Sequence, residues 1–406
     1  MGEILAVGIT HYPPLAGRDE SMSWILKRML QNPHLPQEYR QAPGWPEAMR
    51  EEWSDDEGLA AARDHRARLV QALRKTRERI HEFRPNFIVI WGDDQYENFR
   101  EDVVPPYCIY AHESFEFGPP PNNVWDEPPE KKLRQSGNVG AAKYLAKGLI
   151  EAGFDAAYSY KPLHHPLGHA FANAVMYLDY DRKGFPYPII PFAINCYGRK
   201  VIAQRGGLPM FEDPPSEEQL DPPAPTPQRL FDLGAATARI LTASPWRIAL
   251  LASSGWSHAF LTEKNHYLYP DTPADRVLFD ALRTGNYDAW RNYPASSVEA
   301  SGQHEILNWM CLAGALAELK RQPKETEFID TWIFNSSKCF LSAPPHRPDF
   351  AENPIEAQRK SRLGNRHKPE HRRWNRRGPG GRGRRRRVRR LASGERGRLC
   401  ALHHEY

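Results

Sequence analysis

The run DHRARLVQALRKTRERIHEFRPNFIVIWGDDQYENF, residues 64–99, decides the fold class. Its first part, Asp64 to Phe83, is heavily charged yet sets Leu69, Leu73 and Ile80 on one side, the spacing of an amphipathic helix. Pro85 closes that pattern, because proline cannot continue a helix beyond its first turn. Phe87-Ile88-Val89-Ile90-Trp91 then reads as a strand buried on both faces, and Gly92 stops it. Working outward, Glu3 to Ile9 is a short apolar run ending at Thr10-His11. Val139 to Ala152 and Ala170 to Leu178 read as helices, Pro188 to Ile194 and Arg247 to Ala252 as buried strands, and Gln303 to Leu319 as an apolar-striped helix. Strands alternating with helices predict an α/β domain over residues 1–350, with a mixed, mostly parallel central sheet flanked by helices.

Two segments interrupt the alternation. Residues 205–227 carry seven prolines and read as a long surface loop. Residues 263–300 read as a helical excursion over the sheet. Residues 351–406 form an Arg-rich C-terminal extension containing GPGGRGRRRRVRR at 378–390, a composition that buries no core and predicts disorder. From Glu356 onward there are 18 Lys and Arg against 4 Asp and Glu, a local charge of +14, which leaves the preceding residues at −9. The net charge of +5 therefore describes neither part. Such a tail is either a solvated appendage or a weak, non-specific nucleic-acid contact, whose signature would be salt dependence.

Several classes are excluded. No stretch approaches the roughly 20 apolar residues of a membrane helix. The start, MGEILAVGITHY, lacks the basic segment and cleavage site of a signal peptide, so a soluble cytoplasmic protein is expected. The cysteines (108, 196, 311, 339 and 400) are scattered, with no C-x-x-C pair, which argues against a disulfide framework or a zinc ribbon. Neither a dinucleotide-binding glycine fingerprint nor a Walker sequence is present.

Ligands of open α/β sheets bind beyond the carboxyl ends of the strands. Here those ends deliver His11 and Tyr12, then Asp93-Asp94-Gln95, then Asn195, then Ser253-Ser254-Gly255-Trp256-Ser257-His258. Each residue alone has an ordinary reading. Asp93 and Asp94 suit a turn or a helix cap. His258 suits packing near Trp256, and Glu305 suits the positive end of a helix dipole. Taken together, two histidines and an acidic pair at neighbouring strand ends make a site.

Six blocks then align with a known family. THYPPL (10–15), GDDQYENF (92–99), PLGHAFAN (166–173), PIIPFAIN (188–195), SSGWSHAF (253–260) and HEILNWMCLAGAL (304–316) occur in the order seen in class III extradiol ring-cleavage dioxygenases, the LigB-like catalytic subunits. The resemblance runs over roughly residues 3–341, including NSSKCF at 335–340, and GDDQYENF is most similar to the 3-O-methylgallate branch. It implies a non-haem Fe(II) cofactor held by two histidines and a glutamate. By position, the resemblance implies His11 and Glu305 as metal ligands, His258 as the acid/base histidine and His169 as a contact of substrate or the oxygen intermediate. Many relatives have Asp-His where this chain has Asp94-Gln95, so either Asp94 or Gln95 completes the set, or another histidine such as His164 or His165 does, or iron binds poorly.

The implied reaction opens the ring of a catechol- or gallate-type aromatic diol with O2, as an oxidoreductase of aromatic catabolism that inserts both oxygen atoms. Asn195, Trp256 and Tyr12 are the expected substrate contacts, and Arg199 or Lys200 would pair with a substrate carboxylate. The loop at 205–227 or the excursion at 263–300 would cover the site, which permits a homo-oligomer. The alternative keeps the scaffold as a metal- or small-molecule-binding protein, or a zinc hydrolase, without oxygen chemistry; Gln95 motivates it.

Overall fold

The computed structural model describes residues 1–207 and 215–347. The Arg-rich extension lies outside the described residues, as does 208–214 of the proline-rich loop. Among the described residues the strands are β1 (Glu3–Ile9), β2 (Phe87–Asp93), β3 (Tyr107–Tyr110), β4 (Ser114–Phe117), β5 (Leu133–Ser136), β6 (Ala157–Ser159), β7 (Ile189–Ile194), β8 (Arg247–Ser253), β9 (Glu325–Ile329) and β10 (Lys338–Ser342). Eight of them form one sheet in the order β6-β3-β7-β2-β8-β1-β10-β9, while β4 and β5 pair separately.

The centre of that sheet, β7-β2-β8-β1, is parallel throughout. It consists of the four apolar runs read from the sequence. Every residue of β2 and β7 is buried, as expected of parallel strands covered on both faces. Antiparallel pairings flank this centre, with β3 on β7 and β10 on β1, so the sheet is mixed and mostly parallel. The sequence reading omits the outer strands, which are only three to five residues long and too short to show a period.

Helix Leu59–Phe83 begins one turn earlier than its apolar stripe indicates, because the Asp56 carboxylate accepts from the Gly58 and Ala60 N–H groups. The expected helices over 139–152, 170–178 and 303–319 appear as Val139–Glu151, His169–Leu178 and Ile306–Glu318. The excursion is helical, as Thr272–Thr284, Tyr287–Arg291 and Ala295–Ala300. Helix Ile306–Glu318 packs on Pro227–Thr242 closely enough that a Cβ at Gly234 would stand 1.8 Å from the Cys311 carbonyl oxygen. Only glycine allows that approach. Among the described residues no helix is long and apolar enough to cross a membrane.

Candidate active site

Register brings the strand ends abreast. Ile9 pairs with Ser253, Trp91 with Ala252 and Asp93 with Ile194, so the chain leaves β1, β2, β7 and β8 along one edge. Two residues past β1 comes His11; Asp93 is the last residue of β2; the loop after β8 carries Gly255 to His258. Two helix starts reach the same edge, with His169 opening its helix and Glu305 just ahead of Ile306–Glu318.

The side chains converge. His11 Nε2 lies 3.3 Å from Glu305 Oε2 and 3.8 Å from Asp93 Oδ1, and His169 Nε2 lies 3.9 Å from Asp93 Oδ2. Donor atoms of His11, Asp93 and His169 all fall within 4.8 Å of one another, a grouping that could hold a metal ion. His258 Nε2 is 3.2 Å from Glu305 Oε1. Glu305 also accepts from the Tyr197 hydroxyl at 2.5 Å and from the Gly255 N–H at 3.0 Å. A Cβ on Gly255 would come within 2.9 Å of the His258 ring, so glycine suits the backbone between that ring and the Glu305 carboxylate.

All three histidines are held in the same sense. Nδ1 of His11 donates to the Ser253 carbonyl at 2.9 Å, Nδ1 of His258 to the Trp256 carbonyl at 2.8 Å, and Nδ1 of His169 faces the Glu97 carboxylate at 2.9 Å. Each ring therefore turns Nε2 inward. A metal-ligating histidine is normally fixed in this way, with its other ring nitrogen tied to a carbonyl or carboxylate.

Burial sets the charges. It pushes Asp93 up to about 7, Glu305 adds to that, and His11 and His169 act against it. For Glu305 burial also raises the carboxyl, but His258, His11 and Tyr197 outweigh it and hold the group below the usual carboxylate range. Burial would lower His169, but the Glu97 carboxylate beside it lifts it to about 10. His258 is lowered, chiefly by burial, so it stays neutral at neutral pH. Asp93 is fully buried and its Oδ2 has no hydrogen-bond partner. A buried carboxylate oxygen without a donor calls for a cation or a proton.

His11, His169, His258 and Glu305 line a cavity of about 200 Å³, with Tyr12, Trp24, Ile25 and Phe260 as its apolar and aromatic wall. A space of roughly 150 Å³ accommodates a benzene ring. A larger groove of about 620 Å³ between helix Leu59–Phe83 and β9–β10 holds charged residues such as Arg79 and Glu325 and none of the histidines.

The other expected site residues are placed differently. Asp94 Oδ1 and Oδ2 accept from the backbone N–H groups of Glu97, Asn98 and Phe99, so this carboxylate folds the loop, and the one facing His11 is Asp93. Gln95 lines the cavity but donates its amide to the Gly206 carbonyl at 2.9 Å. Asn195 accepts from the Gly198 N–H and borders a different, smaller pocket. Trp256 is fully buried among Trp290, Trp309, Phe279 and Phe328, so it packs the core and does not line the cavity. Tyr12 does line it, while its hydroxyl donates to the Met22 carbonyl. His164 faces Asp102 at 3.0 Å, and both it and His165 are exposed. Arg199 pairs with Glu217 and Lys200 with Glu263, and neither lines the cavity. Tyr197 and Glu97 were not read as site residues; Glu97 lies inside the GDDQYENF block and Tyr197 two residues past Asn195.

Comparison with known proteins finds similarity to one family. Residues 219–340, which include His258 and Glu305, match the family described as the catalytic LigB subunit of aromatic ring-opening dioxygenase. Similar proteins include 2,3-dihydroxyphenylpropionate/2,3-dihydroxicinnamic acid 1,2-dioxygenases. That of Comamonas testosteroni is 28% identical over 48% of this chain and 50% of its own length. That of Photorhabdus laumondii is 27% identical over 46% and 48%. The Klebsiella pneumoniae protein is 25% identical over 65% of this chain and 87% of its own length. The chain thus spans about half the length of the first two relatives and most of the third. These matches do not single out the 3-O-methylgallate branch. Family match and relatives agree that the chain is similar to LigB-like proteins of aromatic ring-opening dioxygenases.

Proposed function

We propose that the protein is an extradiol dioxygenase that opens a catechol- or gallate-type ring with O2, using Fe(II) held by His11, His169 and Asp93, with Glu305 beside them. The observation that carries this reading is the convergence of those three donor groups, from separate stretches of chain, within 4.8 Å of one another at a ring-sized cavity. Two imidazoles and a carboxylate form the donor set of non-haem Fe(II) oxygenases, and the partnerless Oδ2 of Asp93 fits a cation. When bound, such an ion brings the diol and O2 together and passes electron density between them.

The chain's own groups do the rest. Tyr12, Trp24, Ile25 and Phe260 offer the ring an apolar and aromatic wall. His258, kept neutral by burial, accepts a phenolic proton at Nε2, since its Nδ1–H is committed to the Trp256 carbonyl. The Glu305 carboxylate, 3.2 Å away, then stabilises the imidazolium, which can return the proton as the ring opens. Substrate and O2 are the partners this reading requires, and the cytoplasm is the compartment it suits.

The test is oxygen uptake by protein loaded anaerobically with Fe(II), over a panel of catechols with carboxylate, methoxy and neutral substituents. Uptake with ring-opened product is expected. Stoichiometric iron without uptake across the panel overturns the reading, and full zinc occupancy with no oxygen consumption favours the hydrolase or binding-protein alternative.

A further inference from the structure

Helix Thr272–Thr284 belongs to the excursion over the sheet and contributes nothing to the cavity wall, yet its Asp275 is fully buried. A carboxylate in the first turn of a helix is ordinarily explained by the dipole or by capping. That explanation is already used up here. The cap is Asp271, whose side chain accepts from the Ala274 N–H. Asp275 instead turns both oxygens away from its own helix.

They reach three other segments, through Ser257, Gln303 and Ser337. Asp275 Oδ2 accepts from the Ser257 hydroxyl at 2.5 Å, and Oδ1 accepts from the Ser257 N–H at 3.1 Å. Oδ1 also accepts from the Gln303 side-chain amide at 2.8 Å. The Gln303 carbonyl oxygen is held in turn by the Tyr293 hydroxyl at 2.7 Å. Ser257 immediately precedes His258, and Gln303 stands two residues before Glu305. The two segments also touch directly, the His258 N–H donating to the Gly302 carbonyl at 2.9 Å. Burying a carboxylate costs free energy that its donors must offset, so a position with no surface and no ligand of its own keeps one only where its partners need fixing.

We propose that Asp275 is a positioning residue that sets the spacing between His258 and Glu305, by holding Ser257 and Gln303 on one carboxylate. The inference rests on the proposed roles of His258 as base and Glu305 beside the metal. It divides the function of Asp275 into two arms. The Ser257 arm orients the imidazole that takes the proton. The Gln303 arm orients Glu305, the carboxylate beside the ion, whose charge helps to hold it. Groups that aim a metal ligand or an acid/base residue typically change affinity or rate by about 10- to 100-fold when removed.

The experiment compares Ser257→Ala, Gln303→Leu and Asp275→Asn with the full-length wild type. It measures Fe(II) affinity by anaerobic chelator competition, kcat and KM by oxygen uptake at saturating iron, and thermal midpoint. Ser257→Ala should lower kcat by about 10- to 100-fold with KM and iron affinity unchanged, and Gln303→Leu should lower iron affinity by a similar factor with a smaller change in kcat. Asp275→Asn should show both losses. If the two single variants move both readouts together, or neither moves any readout beyond the thermal midpoint, Asp275 is merely structural and the proposal fails. Should Asp275→Asn not fold, the single variants still decide. Wild type that binds Fe(II) but consumes no oxygen overturns the functional reading alone, because iron affinity in Gln303→Leu still tests the second arm.

Discussion

Glu97 grips His169 at two points, accepting from its backbone N–H at 2.9 Å and facing ring Nδ1 at 2.9 Å. Helix His169–Leu178 thus starts on a carboxylate that also chooses which ring nitrogen faces Asp93. Burial would raise Glu97, but the pairing with His169 brings it down to about 2. Replacing the charge while keeping the shape should leave the fold intact and free the ring. For Glu97→Gln we expect iron affinity to fall by about 10- to 100-fold, measured by chelator competition, with the circular dichroism spectrum unchanged. Unaltered affinity would remove His169 from the ligand set.

Neighbouring aspartates should behave oppositely. Asp93 has an oxygen without a hydrogen-bond partner, whereas Asp94 serves three backbone N–H groups. Asp93→Asn should abolish tight iron binding while leaving the thermal midpoint at or above that of the iron-free wild type, since burial already raises that carboxyl. Asp94→Ala leaves buried donors unsatisfied and should cost about 1–3 kcal/mol of stability by urea titration. If Asp94→Ala instead loses iron at full stability, the two roles are interchanged.

That pair also shows how far sequence reading reaches. The parallel core was legible because strands buried on both faces are continuous apolar runs, and β1, β2, β7 and β8 each contain one. His11, His258 and Glu305 could be singled out because they follow strand ends or open an apolar helix. Asp93 could not be singled out in the same way, and the expected ligands at that strand end were Asp94 and Gln95. Successive residues of an extended chain point to opposite sides, so a shift of one residue exchanges site for loop, and only the fold around β2 fixes which side faces His11. Trp256 misled for a related reason. Its sequence neighbours Gly255 and Ser257–His258 belong to the site region, but the indole turns into a cluster of core aromatics supplied by remote segments. Tyr197 and Asp275 find their partners more than a dozen residues away, at separations of 108 and 18. No local pattern marks such contacts.

His258 offers a cleaner separation of chemistry from binding. Its ring is 3.2 Å from Glu305 yet lies outside the grouping of His11, Asp93 and His169. His258→Phe keeps an aromatic ring of similar size but has no proton acceptor. Iron content should match wild type, while kcat in oxygen uptake falls by about 10²- to 10⁴-fold, the range for a positioned acid/base group. Full activity in this variant would reassign the base.

Burial lifts Asp275 from the ordinary carboxylate range to about 7, against the hydrogen bonds from Ser257 and Gln303 that favour its charged form. The folded protein therefore keeps a proton that the unfolded chain releases near pH 4. Between those limits the folded state binds more protons, so stability falls as pH rises. The contribution is fully present below about pH 4 and lost by about pH 7, with a slope of at most about 1.4 kcal/mol per pH unit. An asparagine cannot titrate, so Asp275→Asn should lack this component whatever its absolute stability. Urea unfolding of metal-free wild type and variant at pH 5, 6 and 7 should give a difference in stability that shifts steadily in favour of the variant. Parallel pH profiles would mean that the buried carboxylate stays charged throughout, held entirely by its serine and glutamine donors.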